Sequence, residues 1–73
     1  MEKPLTISDL KAMEGSHKDL TPQQHLAVKN FERYRFKTLS SIKNEDRFHQ
    51  EYQRLQSMAN LTSFEEFLKD EYL

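Results

Sequence analysis

A small all-α fold, a bundle of three to four helices about one long central helix, is predicted by three features of this sequence. Apolar residues recur at the spacing of a helical face, and no segment alternates with the period of a strand. Residues that cap or stop helices (Thr6, Gly15, Thr21 with Pro22, Asn44, and Thr62 with Ser63) fall between those apolar runs. Five Phe and three Tyr provide one core, and 73 residues have room for only one, so residues 1–73 read as a single helical domain.

The first helix is expected over about residues 7–14. Thr6 can cap it, Asp9 stands at the third helical position, and Leu5 and Leu10 are placed to pack as a hydrophobic staple. Gly15, the only glycine, marks its end, where a left-handed residue commonly closes a helix. Residues 15–20 then connect to the next helix.

The second helix, about residues 22–42, is the longest uninterrupted amphipathic stretch. Thr21 and Gln24 form a capping box around Pro22, which suits a first helical turn. At about 100° per residue, Ala27, Val28, Phe31, Tyr34, Leu39 and Ile42 share an arc of roughly 140°, the stripe of a helix packed on a core. Lys29, Arg33 and Lys37, each four residues from the next, make a basic row on the opposite side. Leu26 lies near that row, and Phe36 stands between it and the stripe.

Neither Gly nor Pro separates this helix from the next segment, yet the apolar phase changes. Phe48, Tyr52, Leu55, Met58 and Ala59 centre roughly 130° from the first stripe, so one straight helix would face two different cores. A break at Asn44 removes the conflict and puts Glu45 and Asp46 in a first turn, where the helix dipole favours negative charge. The third helix, about residues 45–59, is then expected to form an antiparallel hairpin with the second. Leu39 should meet Phe48, Phe31 should lie near Leu55, Val28 near Ala59, and Arg35 should pair with Glu51. Asn60 is expected to close the third helix in the left-handed conformation. A last helix, about residues 63–72, starts at a capping box of Thr62 with Glu65 or Ser63 with Glu66, and docks through Phe64, Phe67 and Leu68.

Composition bounds the function. Cysteine is absent, which excludes disulfides and thiolate metal sites and fits a cytoplasmic setting. No apolar run approaches the ~18 residues that span a bilayer, and no export signal is visible, so no membrane role is expected. A single glycine leaves nothing for a Gly-rich phosphate loop, and there is neither a Cys nucleophile nor a G-x-S-x-G elbow, so an enzyme is not expected. His17, His25 and His49 are never three or four apart, which leaves them as surface residues rather than metal ligands; no cofactor is called for.

The informative surface is on the second helix. Leu26, Lys29, Arg33, Phe36 and Lys37 read as a partner-binding face, because exposed aromatic and Arg side chains anchor protein interfaces. The expected function is that of a non-enzymatic protein-binding module (a regulator, inhibitor or assembly subunit) whose partner is a larger, acidic protein, with self-association open to so small a core. The alternative is a nucleic-acid or ribonucleoprotein accessory factor, in which the same basic row tracks phosphates and Phe36 stacks on a base. Net charge −1 weighs against that alternative. Acidic residues 62–73 and basic residues 22–43 are also expected to attract each other within the fold.

Overall fold

The computed structural model describes residues 4–72. It is 77% helical with no strand among the described residues, so the all-α class holds. Helix α1 spans Ile7–Gly15, α2 spans Pro22–Ser40 and α3 spans Glu45–Leu61, followed by two 3₁₀ turns, Phe64–Leu68 and Asp70–Tyr72.

Each α-helix begins where local chemistry dictates. The Thr6 hydroxyl accepts from the Asp9 amide at 3.2 Å while the Asp9 carboxylate accepts from the Thr6 amide at 3.0 Å. Thr21 and Gln24 close the same reciprocal box at 3.1 and 2.9 Å, and the Asn44 side chain accepts from the Arg47 amide at 3.1 Å. The break at Asn44 is therefore real.

The ends depart from the sequence reading. Gly15 stays helical, and the left-handed residue is His17, at φ 63°. The His17 amide donates to the Glu14 carbonyl and the Lys18 amide to the Met13 carbonyl, which is the Schellman pattern with His17 in the place a glycine usually takes. Helix α2 stops at Ser40, two residues before Ile42, where the Ser40 and Ser41 hydroxyls donate back to the Lys37 and Thr38 carbonyls. Asn60 remains inside α3, which passes into extended Thr62 at φ −99°, ψ 136°. Extended backbone is needed there because Ser63 bridges to Thr6 and the Phe64 amide donates to the Leu5 carbonyl at 2.8 Å.

The last helix is also not an α-helix. Its two 3₁₀ turns are separated by Lys69 in an extended conformation, φ −73°, ψ 155°. Two side chains of α2 explain how so irregular a segment keeps its backbone satisfied. Asn30 Nδ2 donates to the Phe67 carbonyl at 2.8 Å, and an Arg33 Nη donates to the Tyr72 carbonyl at 2.8 Å. Phe67 itself is fully buried, its ring edge-on to Phe31 with centroids 5.1 Å apart.

Phe67 and Phe31 belong to a core completed by Ile7, Ala27, Leu55 and Ala59. Helix α1 is tied across it by a Lys11–Glu32 ion pair and by the Ser8 hydroxyl donating to Asn60 Oδ1. Between α2 and α3, Arg54 donates to the Tyr34 hydroxyl at 3.3 Å and the Arg35 guanidinium lies over the Tyr52 ring. The expected Arg35–Glu51 pair does not form. Arg54, one turn along the same helix, holds Glu51 with two nitrogens at 3.0 and 2.7 Å, while the Arg35 guanidinium sits 5.5 Å over the Tyr52 ring and 3.6 Å from Glu32. Two donors on one carboxylate oxygen within a single helix need no adjustment between helices, and this contact takes Glu51.

Burial is lopsided. The fully buried residues of α2 (Ala27, Asn30, Phe31) lie in its first half and those of α3 (Leu55, Ala59) in its second, while residues 43–50 are all exposed. The end of α2 and α3 next to their connection at residues 41–44 thus extends beyond the core, and the molecule measures 38 × 25 × 22 Å.

Candidate functional site

The exposed sector of α2 brings together the residues that the sequence singled out. Leu26 is 43% exposed and Phe36 73%, and Lys29, Arg33 and Lys37 are exposed as well. Lys29 and Lys37 have no acidic partner among the described residues. Arg33 differs from its two neighbours: besides the Tyr72 carbonyl it donates to Asn30 Oδ1 at 3.2 Å, so it joins the surface row to the last segment.

The attraction expected between the basic helix and the acidic tail takes another form here. Glu66 pairs with Lys69, three residues away, and α2 engages the tail through carbonyls rather than carboxylates. Glu71 lines a small cleft with Arg33, Lys37 and Tyr72, but among the described residues no ion pair links α2 to residues 62–72. The basic row is therefore left available at its two lysines.

On the other flank of Phe36 is a feature that sequence reading only half anticipated. Glu32, Arg35, Phe36, Leu39, Ser40 and Phe48 line a groove of about 460 Å³ between α2 and α3. Leu39 and Phe48, expected to meet each other, both line this open groove instead of closing a core. Phe48 is 38% exposed and Tyr52 41%. The sequence signal for this was the absence of a third apolar segment to cover that end of the hairpin. Asn30 was missed altogether; its signal was an amide at the margin of the apolar arc, next to Phe31.

Among the described residues, Tyr72, Lys69 and Arg54 are perturbed, all around the tail and its neighbours. Tyr72 is raised above its ordinary value by burial and then by nearby Glu71; its ring stands edge-on to Tyr34 with centroids 5.1 Å apart. Lys69 is raised by its hydrogen bond to Glu66. Arg54 is raised by hydrogen bonds to Glu51 and Tyr34, which favour its charged form. His17, His25 and His49 are exposed, and among the described residues no cluster of His, Asp and Glu could hold a metal ion. No described helix is long and apolar enough to cross a membrane.

Compared with protein-family models, curated proteins and solved structures, the chain matches none. The functional reading therefore stands on the geometry alone.

Proposed function

We propose that this chain is a non-enzymatic protein-binding module of the cytoplasm, a small helical bundle with α2 as its central helix. Leu26, Lys29, Arg33, Phe36 and Lys37 present a partly apolar, partly basic face to a larger acidic protein. One observation carries this reading: Leu26 and Phe36 stand 43% and 73% exposed beside two lysines that no described acid neutralises. Apolar anchors supply affinity once desolvated, and rim lysines speed the approach of an acidic surface.

Capture from an extract of the source cells tests it, comparing the wild-type chain with Leu26→Ala and with the Lys29→Glu, Lys37→Glu double variant. An acidic protein retained by the wild type, lost with Leu26→Ala and retained poorly by the double variant in a salt-dependent way is the expected result. A fluorescent single-stranded oligonucleotide provides the opposing measurement. Tight binding to it with a steep salt slope, abolished by the same double variant, would transfer the basic row to nucleic acid.

A further inference from the structure

We propose that the turn Asp70–Tyr72 is an autoinhibitory latch on the basic row of α2, closed in the free protein and displaced by the carboxylates of an acidic partner. The inference rests on the reading of α2 as the face that meets such a partner, and it adds how access to that face is controlled.

Three observations carry it. The first is what Arg33 holds. Its Nη donates to the Tyr72 carbonyl at 2.8 Å, so the latch closes on a side chain of the partner face itself. A partner carboxylate, ionised and able to take two guanidinium N–H groups at once, is a stronger acceptor than one neutral carbonyl oxygen. An acidic surface can therefore take Arg33 from the latch, and a neutral or basic surface cannot.

The second is what the latch carries. Glu71 lines a small cleft with Arg33, Lys37 and Tyr72. Among the described residues no ion pair joins it to either cation. While the latch is closed, its charge lies beside the basic row and opposes the approach of another acid. Once the latch opens, Arg33 and Lys37 face the partner together.

The third is how the latch is built. Lys69 is extended, at φ −73° and ψ 155°, and so separates the two 3₁₀ turns. Beyond it, the turn of three residues contains none that is fully buried. Before it, Phe67 is fixed in the core and its carbonyl is held by Asn30. Opening at Lys69 therefore releases residues 70–72 without withdrawing Phe67. In the free protein the closed state is held by Tyr72, whose ring packs on Tyr34 and Phe67 with centroids 5.1 and 5.0 Å away.

Titration with fluorescein-labelled poly-L-glutamate tests the latch, in about 0.1 M salt, where screening acts over about 10 Å. Tyr72→Ala, which loosens the latch, should tighten binding at least about tenfold, since apparent affinity falls with the fraction of closed molecules. Glu71→Gln, a milder change, should tighten it roughly threefold to fivefold by removing one like charge. Both should keep the helical circular dichroism. Glu14→Gln makes the same change of charge in the cleft of Lys11 and Val28, and should leave the affinity within about twofold. In the wild type, nitrogen-15 relaxation should show residues 70–72 rigid alone and mobile with saturating probe, while Phe67 stays rigid. The latch is overturned, and the reading of α2 left intact, if the Lys29→Glu, Lys37→Glu double variant abolishes binding while Tyr72→Ala and Glu71→Gln leave it unmoved. Residues 70–72 that stay rigid with probe bound overturn it too, as does an equal gain in Glu14→Gln. Failure of the wild type and both latch variants to bind the probe overturns the latch and the reading together.

Discussion

His17 carries a conformation that its side chain disfavours, while the only glycine, two residues earlier, has an ordinary helical one. A left-handed backbone costs a residue with a Cβ roughly 1–2 kcal/mol, and a helical glycine forgoes about 0.5–1 kcal/mol relative to alanine. Nothing lies within 4 Å of a Cβ added at Gly15. Gly15→Ala should therefore stabilise the domain by about 0.5–1 kcal/mol. His17→Gly should stabilise it by up to about 1 kcal/mol, the relief of strain being partly offset by greater freedom in the unfolded chain. Thermal melts of both variants check this, since about 1 kcal/mol moves the midpoint of so small a domain by about 4–8 °C. Asn30 is the opposite case, a polar side chain whose removal leaves the buried Phe67 carbonyl without a donor. Asn30→Ala should cost about 1–3 kcal/mol in urea unfolding. Helix starts were legible in the sequence because a cap is decided by four neighbouring residues. Gly15 misled because helix closure needs one left-handed residue and does not specify which.

The final segment shows what happens when docking outweighs local preference. Residues 63–72 have the apolar spacing of a helix, but Phe67 can fill the core and Ser63 can bridge to Thr6 only if the backbone is tightened into 3₁₀ turns with an extended residue between them. Amphipathic spacing made the docking residues legible; it could not reveal the tightened backbone, which depends on donors 37 and 39 residues away. This element also carries a pH dependence. The Tyr72 phenol is raised by burial, so the folded chain holds its proton more tightly than the unfolded chain, whose phenol titrates near 10. The resulting stability is fully present below about pH 10 and is lost as pH rises through the folded value. Urea midpoints measured from pH 8 to 11 should fall in the wild type and fall less in Tyr72→Phe. Equal slopes in the two proteins would mean that the phenol is solvated in the native state.

Across the whole molecule, stability is concentrated at one end. Phe67→Ala should cost about 3–5 kcal/mol, against a total of about 4–11 kcal/mol for a chain of this length. A chain ending at residue 62 should accordingly lose its cooperative thermal transition, and retention of that transition at the same temperature would show the last segment to be peripheral. The candidate binding face was readable because exposure on α2 follows from helical phase: Leu26, Lys29, Arg33, Phe36 and Lys37 all lie off the buried arc. The groove beside Leu39 and Phe48 was not, since helical phase says which residues face a neighbour but not where a third layer stops.

The pairing of Thr6 with Ser63 and of Ser8 with Asn60, the latter 52 residues apart, makes the folded backbone a ring closed without a covalent bond. Closing a ring of about fifty residues costs about 3.5 kcal/mol of entropy beyond a fixed term, and that cost is recovered in a single event when the closure opens. Fraying at one end of the chain is then fraying at the other. Amide hydrogens of α1 and of Phe64 should exchange with one common opening free energy, while those of residues 45–50 exchange earlier and separately.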